Sequence, residues 1–316
     1  MNVVLDKEFK NWILGGIIRD ASLVSKIQFD TKYVTTSRRT NPVDYLKLKH
    51  FKQLTLKEND LIINQKTLQF LLRNNLVSRS SLPHLRCFYT HDTPEHLVKS
   101  KLIEDLNAMK RVLVMNKFDY EMLVNLGVTD SKLRTVYGAV DRKKFYPSSN
   151  LKQPEFVLVT GDAKGRKNPC KVLEVISENK DLKFIICGRY WKEFVTRTKK
   201  ELSNLEIVDF SHETNEELMR TASAFMTLSL QEGGPYPVLE ALASGTPVVS
   251  TPVGWVPEIV NEKNGRIISQ DAAPSEVGAR LKECILLKGE VHGRDLLNGK
   301  YTWVELADKL FIDSDK

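Results

Sequence analysis

The reading turns on one stretch, Ala224-Phe-Met-Thr-Leu-Ser-Leu-Gln-Glu232-Gly-Gly-Pro-Tyr-Pro-Val-Leu-Glu240-Ala-Leu-Ala-Ser-Gly245-Thr-Pro-Val-Val-Ser250. Ala224 to Leu230 is a short apolar run of the length of a buried strand. Glu232-Gly-Gly then forms a loop whose missing side chains let the backbone approach a ligand closely. Pro235 and Pro237 suit the first turn of a helix, where a lost N–H costs little. Val238 to Ser244 predicts a short apolar helix stopped by Gly245, and Thr246 to Ser250 the next buried strand. Strand, loop, helix and strand in this order make a unit of a parallel α/β sheet. The loop then lies at the carboxyl end of its strand, where open α/β sheets bind ligands.

Glu232 is on the loop and Glu240 eight residues later, near the helix start. A helix N-terminus attracts phosphate. Carboxylates there would repel it, so two functional glutamates are expected to accept hydrogen bonds from hydroxyls. A sugar nucleotide offers both a diphosphate and hydroxyls. The run from Glu232 to Val249, continued by Val253-Gly-Trp-Val-Pro-Glu-Ile-Val260, resembles the retaining glycosyltransferases of family 4, with their two glutamates separated by seven residues. The resemblance implies a GT-B fold: α/β, with two Rossmann-like domains whose parallel sheets face across a cleft. It is strongest from Leu133 to Ile268 and thin between Thr40 and Leu82.

The 316 residues suggest two domains. The expected division is 1–149 for acceptor binding and 150–300 for the nucleotide sugar, with 301–316 a final helix that packs back on the first domain. Pro147 to Pro154 is the linker by composition. Hydrophobic content of 41% and charged content of 28% fit a globular protein, and no apolar run reaches the ~20 residues that span a bilayer. Cys87, Cys170, Cys187 and Cys284 show no metal-ligand spacing and read as reduced core thiols of a cytoplasmic protein without a signal peptide.

Residues 1–150 carry 25 Lys and Arg against 15 Asp and Glu, whereas the remainder carries 22 against 25. The basic first half suits an anionic partner: a phospholipid surface, such as the inner face of a membrane, a pyrophosphate-linked lipid or nucleic acid. It suits a merely solvated surface equally. Within 42–58, Lys47, Lys49, Lys52 and Lys57 alternate with Leu46, Leu48, Phe51 and Leu54, either a membrane-contacting amphipathic segment or a surface helix. Nucleic acid is not the expected partner, since no motif selects it.

Along the chain, strands are expected at Asn2 to Leu5, Tyr33 to Ser37, Asp60 to Gln65, Leu85 to Asp92 and Arg111 to Asn116 in the first half. Gly15 and Gly16 follow a loop from Asp6 to Leu14 and open a helix. They serve either close helix–sheet packing or phosphate approach, and the resemblance favours contact with the donor diphosphate. His91, at a strand's polar end, is the first domain's site candidate, which the resemblance places at the donor sugar or the acceptor. Tyr137-Gly-Ala-Val-Asp141 and Phe145-Tyr-Pro resemble the family's interdomain segment.

Phe156-Val-Leu-Val-Thr-Gly-Asp-Ala-Lys-Gly-Arg-Lys167 opens the second domain with a strand and a basic loop. Lys167 matches the family's lysine. Asp162 stands where the family has arginine, and Arg166 ahead of Lys164 is expected to compensate. Their charge would neutralise the diphosphate of a leaving nucleotide. Phe210 begins the segment that flanks the base in the family.

The resemblance thus implies a retaining hexosyltransferase that moves a sugar from a nucleoside diphosphate to a glycan or lipid-linked acceptor. Glu232, Lys167, Arg166 and His91 are the expected catalytic residues. Gly15, Gly16, Gly233, Gly234, Pro235, Tyr236, Glu240 and Phe210 are expected to bind the donor, with Glu232 on the sugar hydroxyls and Glu240 on the ribose. No metal or other cofactor is expected: the one Asp-x-Asp, Asp313 to Asp315, falls at the tail. The rival readings are an epimerase-like sugar-nucleotide enzyme on the same fold and a non-catalytic basic module that binds nucleic acid or membrane.

Overall fold

A computed structural model describes residues 1–6, 13–25, 30–34, 56–91, 101–148, 155–199, 201–288, 291, 297 and 300–312. The chain divides into two compact units, Met1–Gly138 with Trp303–Lys316, and Ala139–Thr302. The first runs β1 (Asn2–Asp6), α1 (Ile13–Val24), β2 (Asp30–Val34), β3 (Leu61–Ile63), α2 (Gln65–Arg73), β4 (Arg86–Phe88), α3 (Leu102–Ala108), β5 (Arg111–Val114), α4 (Lys117–Asn125) and β6 (Leu133–Thr135). The second runs β7 (Val157–Thr160), α5 (Pro169–Glu178), β8 (Phe184–Cys187), α6 (Trp191–Thr198), β9 (Leu205–Val208), α7 (His212–Thr221), β10 (Ala224–Thr227), α8 (Tyr236–Ala243), β11 (Val248–Ser250), α9 (Val256–Ile259), β12 (Gly265–Ile267) and α10 (Pro274–Leu286). A final helix, α11 (Trp303–Phe311), belongs to the first unit, where it packs on α1.

Each unit holds a six-stranded parallel sheet, ordered β2-β1-β3-β4-β5-β6 in the first and β12-β11-β10-β7-β8-β9 in the second. Inner strands such as Leu61-Ile-Ile and Phe184-Ile-Ile-Cys are unbroken apolar runs, buried throughout, whereas the edge strands β2 and β9 are partly exposed. That pattern marks strands covered on both faces, because the crossover helices of a parallel sheet lie on either side. In the second unit the chain builds outward from β7 through β9 and returns to place β10 against the other edge of β7. The order therefore reverses between β7 and β10, and the loops leaving their carboxyl ends open a crevice there.

The deciding stretch folds as strand, loop, helix and strand, with α8 two residues earlier than Val238 because Pro235 is its N-cap and Pro237 lies in its first turn. Gly245 takes φ +66 just past the helix end, a left-handed conformation suited to glycine.

Several expectations need correction. The second strand begins at Asp30, three residues before the expected Tyr33, and is described through Val34, in register with β1 from Asn2 opposite Asp30; residues 35–37 lie outside the described residues. Gly15 and Gly16 lie inside α1, not at its opening, although their N–H groups still fall within the first four, which lack intrahelical partners. The units divide at 138/139 rather than 149/150. Val140 N–H bonds Tyr301 O at 3.0 Å, and Arg220 Nη1 donates to Lys144 O at 2.8 Å, so the segment before the proline-rich linker already belongs to the second unit. Cys87, Cys187 and Cys284 are buried, but Cys170, on the open side of α5, is exposed and no core thiol. Residues 42–55, 149–154 and the Asp313 to Asp315 tail lie outside the described residues. No described helix is long and apolar enough to cross a membrane.

Candidate functional site

The crevice between β7 and β10 is lined by charge. The loop after β7 tightens into a 3-10 turn, Gly165–Lys167, and the loop after β10 carries Glu232. Leu230 N–H bonds Arg166 O at 2.8 Å and ties the two loops together. Arg166 Nη1 and Lys167 Nζ each lie 2.5 Å from Glu232 Oε1, and Ser229 Oγ donates to the same oxygen at 3.2 Å. Three donors thus grip one carboxylate oxygen, and among the described residues no partner is recorded for Oε2. The Glu232 side chain is 10% exposed. Burial acts to raise its carboxyl, but the Lys167 and Arg166 charges and hydrogen bonds together outweigh it, and the group is held below the usual carboxylate range. Ser229 is fully buried, its hydroxyl 3.2 Å from Thr227 Oγ1 and its carbonyl accepting from Thr251 Oγ1 at 2.6 Å.

Asp162, where the family has arginine, is answered from β8's carboxyl end. Arg189 Nε and Nη2 reach its two oxygens at 3.1 and 2.9 Å, and Lys164 Nζ lies at 3.6 Å. Burial would raise the Asp162 carboxyl, yet these contacts leave it lowered. Arg166 and Lys167 are therefore the cations at Glu232, while Lys164 pairs with Asp162.

Glu240 belongs to a second arrangement. Its Oε2 accepts from Asn215 Nδ2 of α7 at 3.1 Å, with no cation within ion-pair distance among the described residues. Burial pushes its carboxyl up to about 7; the Asn215 hydrogen bond opposes this and the Glu216 charge adds to it. Between the two glutamates, Gly233, Gly234 and Pro235 cross above Trp255. A Cβ on Gly234 would fall 2.1 Å from the indole, which is fully buried, and the Tyr236 ring meets the same indole edge-on at 5.4 Å. The α8 N-terminus beside them has no side-chain cap and no acidic residue in its first turn. Phe210 is 45% exposed beyond β9, its ring edge-on to His212 at 5.5 Å and three strands removed from the Glu232 loop.

In the first unit, β4 and β5 are neighbours, and the segments leaving them bring His91 and Asp119 together. His91 Nδ1 lies 2.5 Å from Oδ1 of the fully buried Asp119. Asn116 caps α4 by accepting from Asp119 N–H at 2.7 Å and returns its own amide to Asp119 Oδ2 at 2.8 Å. The exposed Phe118 ring stands 6.0 Å from the imidazole. Gly15 and Gly16 follow β1, two strands from β4.

Sequence reasoning missed Ser229, Asn215, Asp119 and Arg189. The Asn-x-x-Asp spacing from Asn116 to Asp119, a helix-start signature, was the one available signal. Asn215 and Arg189 meet their partners only through the sheet order, and Ser229, three residues before Glu232, carries no pattern of its own.

Residues 141–292 match the family described as Glycosyl transferases group 1. The chain is 27% identical over 150 residues to an MMP alpha-(1->4)-mannosyltransferase of Mycolicibacterium hassiacum, an alignment covering 44% of this chain and 36% of that protein. It spans between 36 and 59% of the curated relatives it matches. Among solved structures, the apo lipopolysaccharide outer core galactosyltransferase WaaB superposes with a TM-score of 0.73 at 15% identity, over 99% of this chain and 98% of that one. Anabaena Alr3699/HepE in complex with UDP-glucose gives 0.73 at 14% identity, over 98% of each. The fold is that of the GT-B glycosyltransferases, and the group 1 match falls within the second unit.

Proposed function

We propose that this protein is a retaining hexosyltransferase of family 4 that moves a sugar from a nucleoside diphosphate to a glycan or lipid-linked acceptor, without a metal ion. The observation that carries the reading is the grip on Glu232. Two cations and a hydroxyl hold Oε1, and Oε2 is left to accept hydroxyls of the donor sugar. Arg166 and Lys167 then stand where negative charge grows as the nucleotide leaves, alongside the N–H groups of the Gly233-Gly234 loop and the uncapped α8 N-terminus. Pro235 has no N–H to give. Glu240 takes the ribose hydroxyls through the oxygen that Asn215 does not hold. The group 1 match and the sugar-nucleotide complex of the HepE neighbour support the donor class.

Glu232, the carboxylate of the loop after β10, has its Oε1 neutralised by two cations and is a poor nucleophile. The acceptor proton therefore passes to the departing phosphate oxygen on the same face. His91, held by Asp119, contacts the acceptor or the donor sugar from the first unit. The basic first half meets the anionic part of a lipid-linked acceptor at the cytoplasmic face of a membrane.

Glu232→Ala and Lys167→Ala are each expected to lower transfer on the order of a hundredfold, the usual loss for one positioned electrostatic contact. The assay is release of nucleoside diphosphate from uridine, guanosine and adenosine diphosphate sugars with and without acceptor. Unchanged turnover in both variants would overturn the assignment. Mass analysis of the donor after incubation alone separates transfer from epimerisation, which leaves a changed sugar on the nucleotide.

A further inference from the structure

Asn215 is one of two buried positions on α7, the other being Met219 one turn on. A helix that packs by such a stripe ordinarily places an apolar residue there, because a buried amide costs free energy unless it is hydrogen-bonded. Here the amide meets a carboxylate. Asn215 is 5% exposed and its Nδ2 lies 3.1 Å from Glu240 Oε2. Glu240 remains partly exposed, and among the described residues no partner is recorded for its Oε1. The charged groups near it are few. Glu216, also on α7, repels it but is itself paired with Lys144 at 3.2 Å, and β11, packed on the other side of α8, carries no charge from Val248 to Ser250.

We infer that Asn215 is a positioning residue for the donor. It fixes the Glu240 carboxyl by one oxygen, so that the other oxygen receives the two hydroxyls of a vicinal diol. The inference rests on the sugar-nucleotide reading above. A neutral amide serves here better than a cation would: Lys or Arg at 215 would neutralise Glu240 and compete for the diol oxygen. A single amide leaves the carboxylate its charge and one open face. Glu232, in contrast, tolerates two cations because they also face the diphosphate in that reading.

The test compares wild type, Asn215→Leu and Asn215→Asp by calorimetry from pH 5.5 to 9. The probes are uridine diphosphate, guanosine diphosphate and the 2′,3′-dideoxy form of each. Asn215→Leu keeps the branched shape and the number of side-chain heavy atoms and removes the donor, and Asn215→Asp adds a second carboxyl. Both are expected to weaken the diol-bearing diphosphates about tenfold at pH 7, the loss of one hydrogen bond to a charged group. The acidic limb of binding should move to higher pH, because the hydrogen bond that favours the ionised form has gone. Affinity for the dideoxy forms should be unchanged, and a Glu240→Gln background should abolish the effect of either substitution. A loss equal for diol and dideoxy forms, or equal at every pH, overturns the inference and leaves Asn215 a packing residue. Wild-type protein that binds neither of these nor adenosine diphosphate overturns the sugar-nucleotide reading itself and this inference with it, so the two failures are told apart.

Discussion

Two glutamates eight positions apart titrate in opposite directions. Glu232 is held below the carboxylate range by Lys167 and Arg166 against the effect of its burial, and Glu240, half-buried, with its carboxyl desolvated and only an amide for partner, rises to about 7. The consequence for stability has a definite sign. Between the ordinary 4.5 of a glutamate and about 7, the folded protein retains a proton that the unfolded chain has released. Stability therefore falls as pH rises through that window and levels above it. Glu240→Gln removes the penalty. Its melting temperature is expected to exceed the wild type's at pH 8 by the equivalent of roughly 1–3 kcal/mol, and the two should converge near pH 4.5. Thermal melts at the two pH values check this; an equal gap at both would show that Glu240 titrates as an ordinary carboxyl. The spacing of these glutamates was legible in the sequence. Their opposite electrostatic states were not, because Arg166, Lys167 and Asn215 lie 66, 65 and 25 positions away from the carboxylates they face.

Among the elements, the loop between β10 and α8 has the least room to change. Gly234 lies on the Trp255 ring, where a Cβ would stand 2.1 Å from the indole, and Gly254, at φ +54, faces Gly233 O across a gap that a Cβ would narrow to 2.8 Å. Gly234→Ala is expected to destabilise the second unit by about 1–3 kcal/mol, the cost of forcing a methyl into a filled site. Combining it with Trp255→Leu should recover most of that loss, and urea unfolding of the single and double variants measures the coupling. Without recovery, the tightness of the loop would have to come from elsewhere than the indole. The glycine pair was readable as a place of close backbone approach. That the approach is to a tryptophan 21 positions later depends on α9 following β11, which brings Trp255 beneath the loop.

Over the whole molecule, two units with separate hydrophobic cores are expected to unfold in separable steps. The first depends on a helix that arrives last. α11 packs on α1, its Leu306, Ala307, Leu310 and Phe311 are buried, as are Ile17, Ile18 and Ala21 of α1, and Phe311 O lies 3.5 Å from Arg86 Nη2. Ending the chain at Thr302 should strip amide-exchange protection from 2–6 and 13–24 while leaving that of 155–228 close to wild type. Equal loss in both stretches would show one cooperative body instead of two. Composition misplaced the division between the units because it marks where a chain is polar and proline-rich. Residues 139–146 precede the proline-rich stretch, yet the backbone hydrogen bonds of Val140 and Lys144 commit them to the second unit.

The sequence by itself determined the class of fold and the region of the site. Unbroken apolar runs separated by helical periods admit little but parallel sheets, and a glycine-bearing loop after such a run can only lie at a strand's carboxyl end. Tertiary structure decided which loops meet. Strand order is a long-range property: β10 returning to the side of β7 sets Glu232 between Arg166 and Lys167, and β4 beside β5 sets Asp119 on His91. It also decided charge state, since a carboxyl's proton affinity depends on the burial and partners that packing supplies, and no local pattern of residues encodes either.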